Sequence, residues 1–353
     1  MSSGSGQAYS SHVHFELGQV LNGRWRVCGQ LGKGGMGAVL EVENIFVRKR
    51  YAMKIMQTDF MSSAAIARFQ REANVLLMLQ HPNIVQAYDF GLMSEDMPFL
   101  LMEILQGLTL SEIIQTNGSL SEQEVRDLMV PVLNALGYAH SKNVVHRDLK
   151  PSNILVTKNP DGTIQPKVLD FGIAAHEDSM NLTLTGELIG TPLYMSPEQL
   201  SEQAITPASD IYSLGCVMFE CLTGTPPFVG RTAVETMILH KTHVAPSLGA
   251  ASPSKTFSQA IEELVAKMLT KNPSDRFATC ADVVKAFAPE RSPALRSKTP
   301  DSAPWSMSML MQVLITVVLL ISAAGTSAFI FHAISDVGRA RTGETYKQPS
   351  TTR

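Results

Sequence analysis

The run Val145-His146-Arg147-Asp148-Leu149-Lys150-Pro151-Ser152-Asn153, followed by Leu169-Asp170-Phe171-Gly172, constrains this 353-residue chain more than any other feature. It sets a candidate proton acceptor, Asp148, a cation, Lys150, and two hard oxygen donors, Asn153 and Asp170, at short fixed spacings. Lys150 stands two residues beyond Asp148 and so on the same side of an extended loop. The oxygen donors suit an ion such as Mg²⁺, which completes its shell with phosphate and water. Nothing in the set calls for zinc. Transfer of a phosphoryl group to a hydroxyl needs such a set, because its loose transition state spreads negative charge over the phosphoryl oxygens. Catalysis is then mostly positioning and placement of positive charge. In this reading Asp148 orients the hydroxyl and accepts its proton, Lys150 neutralises the γ-phosphate, and Asn153 and Asp170 hold the metal.

Upstream lies Leu31-Gly32-Lys33-Gly34-Gly35-Met36-Gly37-Ala38-Val39. Gly32, Gly34 and Gly37 fit G-x-G-x-x-G-x-V, where the missing side chains let backbone N–H groups approach phosphate oxygens. Alone, such a run is more often only a flexible turn, but the strand-like Val39–Asn44 after it favours a hairpin. Tyr51-Ala52-Met53-Lys54-Ile55 alternates like a strand. Lys54 has a candidate partner in Glu72, on a segment from Ala64 to Leu76 whose Phe69, Ala73 and Leu76 recur at helical spacing. The other reading of Glu72 is a surface ion pair with Arg68 one turn earlier. Phe99 to Gly107 reads as a buried apolar strand running into a link.

In type and order these motifs resemble the eukaryotic-like Ser/Thr protein kinases found in bacteria, over roughly residues 20 to 287. The resemblance implies an α+β, bilobal protein-kinase fold with a small β-rich lobe over 20–104 and a larger, mostly α lobe over 108–287. It implies ATP with Mg²⁺, or Mn²⁺ in its place, held by Leu31, Gly32, Gly34, Gly37, Val39, Ala52, Lys54, Glu103, Leu105 and Leu155. Met102 stands as gatekeeper, and the backbone C=O of Glu103 and N–H of Leu105 face adenine. Gln106 replaces the acidic residue that related kinases often place near the ribose. Catalysis falls to Asp148, Lys150, Lys54 and Glu72. Arg147 calls for an anionic partner, which a phosphorylated loop residue supplies; Thr183 and Thr185 are the autophosphorylation candidates. Thr191 contacts Asp148 and Lys150. Asp210 braces the catalytic-loop backbone, and Arg276 pairs with Glu198 in Ser196-Pro197-Glu198, where Ser replaces the usual Ala. The segment Asp148–Asn153 and the run Gly190–Glu198 together point to Ser/Thr acceptors.

With 29 basic and 32 acidic residues the net charge is −3, which leaves no footprint for nucleic acid. The four cysteines, Cys28, Cys216, Cys221 and Cys280, form no C-x-x-C pair and read as reduced thiols. Helical periodicity over Glu122–Tyr138 and Ser209–Leu222 agrees with an α-rich second lobe.

A second strong feature is Met307–Ile334, almost free of charge and long enough at 1.5 Å per residue to span a bilayer. A buried core helix rarely lacks charge for so long. The expectation is one transmembrane helix over 307–334, preceded by a Pro- and Ser-rich juxtamembrane linker over 288–306 and followed by a short tail over 335–353. Basic residues flank both ends, so charge does not orient the helix; the need for ATP places the kinase domain in the cytoplasm. Residues 1–19 lack a basic start and an apolar core and read as a disordered arm rather than a signal peptide. A small-residue patch, Ser322–Ala328, suits close approach of two helices and hence a homodimer. Protein substrates and a second copy, phosphorylated in trans, are the expected partners.

Three functions remain in view. The first is an active membrane-anchored Ser/Thr kinase acting in signal transduction, with Lys54, Glu72, Asp148, Asn153 and Asp170 all intact. A nucleotide-binding scaffold is the second, though such a protein is expected to lack one of the five. A small-molecule phosphotransferase is the third, and it usually lacks both the segment ending at Glu198 and the braces at Asp210 and Arg276.

Overall fold

A computed structural model describes residues 15–34, 37–56, 70, 73–93, 97–159, 161–171, 192–201 and 203–287. The chain divides into residues 1–290 and 291–353. The second unit, with the expected transmembrane helix, lies outside the described residues. Among the described residues no helix is long and apolar enough to cross a membrane.

Six strands form the first sheet: β1 (Val20–Leu21), β2 (Trp25–Gly34), β3 (Gly37–Asn44), β4 (Arg50–Met56), β5 (Ala87–Leu92) and β6 (Pro98–Met102), in the order β1-β2-β3-β4-β6-β5. Alternation in β3 explains its place. Leu40, Val42 and Asn44 point inward, while Glu41 and Glu43 meet Arg50 and Arg48 on the outer face at 2.8 and 3.0 Å. The strands expected at Val39–Asn44 and Tyr51–Ile55 are each longer by one or two residues at one or both ends. Phe99 and Leu101 of β6 join Trp25, Val27, Met53 and Ile55 in one apolar cluster, whereas Leu100 belongs to the cluster that fills the helical part. A strand buried on both faces reads as a continuous apolar run, and this one stops at Met102, short of the Gly107 end of that run.

Three short strands, β7 (Gly107–Thr109), β8 (Ile154–Lys158) and β9 (Ile164–Val168), pair antiparallel in that order. The second part is helical: α1 (Leu110–Asn117), α2 (Glu122–Ser141), α3 (Pro207–Thr223), α4 (Ala233–Thr242), α5 (Leu248–Ala251), α6 (Gln259–Met268) and α7 (Cys280–Phe287). Reciprocal bonds between Ser121 and Glu124 start α2, and Thr109 with Glu112 does the same for α1. Nearly every residue of α3 is buried, as expected of a helix apolar on all sides. Gly224 ends it at φ 88°, where a Cβ would lie 2.4 Å from the Gly118 carbonyl oxygen. Both helices expected from periodicity are present with slightly wider bounds. Of the segment expected to carry Glu72, residues 70 and 73–78 are helical, and Glu72 and Arg68 themselves lie outside the described residues. All four cysteines are unpaired, and three are buried.

Candidate active site

The loop after α2 supplies the centre. Arg147 takes φ 70°, a left-handed conformation that costs a non-glycine residue on the order of 1–3 kcal/mol. That turn delivers Asp148 and Lys150 to one side, with Lys150 Nζ 2.7 Å from Asp148 Oδ2. Pro151 then starts a single 3₁₀ turn, Pro151–Asn153, which aims Asn153 back at the same carboxylate. Asn153 Nδ2 donates to the Asp148 carbonyl at 2.7 Å and to its Oδ2 at 3.2 Å. Both amide hydrogens are thus committed, and the amide oxygen keeps its lone pairs for a cation.

Asp170 arrives from β9. The Leu169 N–H donates to the Asn153 carbonyl at 2.8 Å, which zips the two loops together directly beside Asp170. His146 reinforces the join: Nε2 meets the Leu169 carbonyl at 2.8 Å, and Nδ1 accepts the Asp148 N–H at 3.3 Å. A neutral ring protonated on Nε2 satisfies both bonds. Phe171 packs on that ring with centroids 4.7 Å apart. Asp170 itself takes φ 43°, a second strained position. The amide oxygen of Asn153 and the carboxylate of Asp170 form a pair of hard oxygen donors, fitting Mg²⁺ or Mn²⁺ and leaving the remaining ligands to phosphate and water.

Lys54 projects from β4, opposite Val39 in the register of β3 and β4. Its Nζ lies 2.7 Å from Asp170 Oδ1. The expected partner, Glu72, lies outside the described residues. Gly37 sits where the hairpin of the glycine run presses on β4. With φ 145°, a Cβ there would fall 1.9 Å from the Ile55 carbonyl oxygen. Gly32 pairs with Val39 and Gly34 with Gly37. Leu31 is half exposed.

Ala52, paired with Met102, and Leu155, paired with Thr109 and Lys167, lie on β4 and β8. Glu103 and Leu105 lie in the extended link between β6 and β7. Among the described residues no backbone group pairs with the Glu103 carbonyl or the Leu105 N–H, which leaves both available to a ligand. One contact here was not legible from sequence. The Glu103 side chain accepts from the Gln86 N–H at 2.9 Å and pairs with Lys167 Nζ at 2.5 Å, tying the link to β9 three residues before Asp170. No spacing signal joins residues so far apart.

The expected braces are present. Asp210, buried in α3, accepts the N–H groups of His146 at 2.8 Å and Arg147 at 3.0 Å. Arg276 and Glu198 form a buried two-point pair. Burial alone would push the Glu198 carboxyl up, but bonds from Arg276 and Ser209 outweigh it and hold the group below its ordinary value. Gln199 Nε2 donates to the Arg147 carbonyl at 2.7 Å, another contact sequence reading missed. Arg147 Nε is buried without a hydrogen-bond partner among the described residues. Thr183 and Thr185, expected to supply the anion for Arg147, and Thr191, expected against Asp148 and Lys150, lie outside them.

Residues 25–287 match the family described as "Protein kinase domain". Serine/threonine-protein kinase PrkC of Bacillus subtilis (strain 168) is 38% identical over 280 residues, covering 78% of this chain and 42% of that protein. Serine/threonine-protein kinase PknB of Mycobacterium leprae (strain TN) is 36% identical over 270 residues, covering 74% and 42%. The chain therefore spans less than half the length of these two curated relatives. In fold it is similar to the crystal structure of the Mycobacterium tuberculosis PknI kinase domain, with TM-score 0.62 and 24% identity over 78% of this chain and 98% of that one.

Proposed function

Because the chain belongs to the protein kinase family, we propose that it is a membrane-anchored Ser/Thr protein kinase that moves the γ-phosphoryl group of ATP to protein hydroxyls in signal transduction. The observation that carries the reading is the knot of Asp148, Lys150 and Asn153, with Lys150 and Asn153 both bonded to one carboxylate oxygen of Asp148. Asp148 orients the acceptor hydroxyl and takes its proton. Lys150 leaves Asp148 for the phosphoryl oxygens as charge builds on them. Asn153 and Asp170 would hold a divalent ion, which when bound would supply positive charge against the charge that builds on the phosphoryl group. Lys54 steadies Asp170 in its strained turn and reaches the α- and β-phosphates. Ala52, Val39 and Leu155 would hold the purine, and the Glu103 carbonyl and Leu105 N–H would bond its edge.

Activation follows from Arg147. Its Nε is buried without a hydrogen-bond partner among the described residues, and a phosphate on Thr183 or Thr185 is the anion that suits it. The apolar run Met307–Ile334 anchors the chain in the cell membrane in a single pass, with the kinase domain cytoplasmic. Confinement through the 288–306 linker raises the effective concentration of one copy for another, which favours phosphorylation in trans.

The test is incubation of the full chain, in detergent micelles, with Mg-ATP beside Asp148→Asn and Lys54→Met, followed by mass spectrometry. Phosphate on Thr183 or Thr185 in the wild type alone supports the reading. Nucleotide binding without transfer to the chain itself or to a generic protein acceptor overturns it in favour of a scaffold.

A further inference from the structure

Cys280, the first residue of α7, places its Sγ 3.6 Å from Nδ1 of His140, in the last turn of α2. The other ring nitrogen, Nε2, lies 2.7 Å from Oδ2 of Asp210. All three side chains are out of solvent or nearly so: Cys280 and Asp210 are buried, and the His140 side chain is 9% exposed. The helices approach closely enough that a Cβ on Gly137 would sit 3.5 Å from that of Cys280. Asp210 is the carboxylate that holds the His146 and Arg147 N–H groups, directly before Asp148.

We propose that His140 is a positioning residue for the transfer reaction, and that the Cys280 thiol locks it in the neutral Nε2–H tautomer that braces Asp210. This rests on the kinase reading above. A carboxylate can only accept, so the hydrogen of the short bond sits on Nε2. Nδ1 then offers a lone pair, and among the described residues the hydrogen-bonding group against it is the thiol. Burial, with Asp210 nearby, pushes Cys280 up to about 12, so the sulfur keeps its proton and donates it. That bond occupies the lone pair a second ring proton would need. Asp210 thereby receives a third donor, and the His140 bond stops the carboxylate from turning away from the two backbone groups it aligns. His140 touches neither substrate nor metal donors; it acts through Asp210 on the placement of Asp148. The last helix of the kinase domain, beyond which the linker begins, is in this way joined to the catalytic loop.

The test uses the full chain with ¹⁵N-labelled histidine, His140→Gln to assign its signal, and the variants Cys280→Val, Cys280→Ser and His140→Leu. In the wild type the His140 nitrogens should show the neutral Nε2–H pattern. Cys280→Val should let the ring exchange between forms and lower kcat several-fold on myelin basic protein, with the KM for ATP unchanged. Cys280→Ser, which keeps a donor, should restore both. His140→Leu should cost about tenfold in kcat, the loss expected for one hydrogen bond to a charged group. A doubly protonated ring in the wild type, or a Cys280→Val protein with wild-type kcat and tautomer, overturns the proposal. So does a His140→Leu protein that loses thermal stability while its folded fraction keeps full kcat. A wild type that transfers no phosphate would sink the kinase reading, while the nitrogen signals still decide whether the thiol sets the tautomer.

Discussion

Arg276 holds Glu198 through two parallel bonds, Nη1 to Oε1 at 2.7 Å and Nη2 to Oε2 at 2.9 Å, with both side chains buried. The remaining three guanidinium hydrogens go to the carbonyls of Thr270, Ala208 and Lys271 at 2.8 to 3.0 Å. All five donors are used, in a planar fork that an ammonium cannot copy. Arg276→Lys keeps the charge and leaves at least two of these acceptors without a donor. We expect it to destabilise the domain by about 3 kcal/mol, and Arg276→Leu by about 3–5 kcal/mol because Glu198 is then buried unpaired. Urea unfolding of the three proteins checks the order.

The same pair gives the stability an acid limb. The Glu198 carboxyl is held below its ordinary value of 4.5 by Arg276 and Ser209, against the opposing effect of burial. A depressed carboxyl contributes stability that is complete above the unfolded value and is lost as pH falls through the folded one. The stability gap between wild type and Glu198→Gln should therefore be level at neutral pH and shrink progressively below about pH 5. A gap that widens on acidification would contradict the ion-pair account.

Gly37 tests the glycine run one atom at a time. Its φ of 145° and the 1.9 Å approach to the Ile55 oxygen leave no room for a methyl group on a backbone that cannot give way without parting β3 from β4. Gly37→Ala should raise the KM for ATP about tenfold or more and lower the melting temperature, whereas at Gly32, where a Cβ would meet nothing within 4 Å, alanine should be far milder.

Much of this site was legible in the chain because its chemistry is local. Asp148, Lys150 and Asn153 need only a short loop to meet, and the sequence carries the proline that bends it. Asp210 and Arg276 could be assigned only by resemblance, since their roles depend on helices that meet across the fold. Lys167 with Glu103, and Cys280 with His140, escaped because residues 64 and 140 positions apart leave no periodic trace. The Lys54 pairing expected with Glu72 lies outside the described residues; among those described, Lys54 meets Asp170, a residue 116 positions away that strand periodicity alone does not join to it.

Asp148 and Lys150 share one short bond, so their contributions to the reaction should not add. Asp148→Asn removes the proton acceptor and should lower kcat by about a thousandfold. Lys150→Met removes charge from the phosphoryl oxygens and should cost about a hundredfold. Each change also disturbs the other residue: among the described residues, without Lys150 the Asp148 carboxylate keeps only the Asn153 amide, and without the carboxylate the Lys150 ammonium loses the partner that holds it ready. Because the two act as a unit, the double variant should fall little below Asp148→Asn alone, far short of the product of the two losses. The KM for ATP should stay within about threefold throughout, since neither residue contacts the purine or the glycine run. Initial rates on a protein acceptor for the four proteins close the cycle. Full additivity would mean that the 2.7 Å contact plays no part in the transfer step.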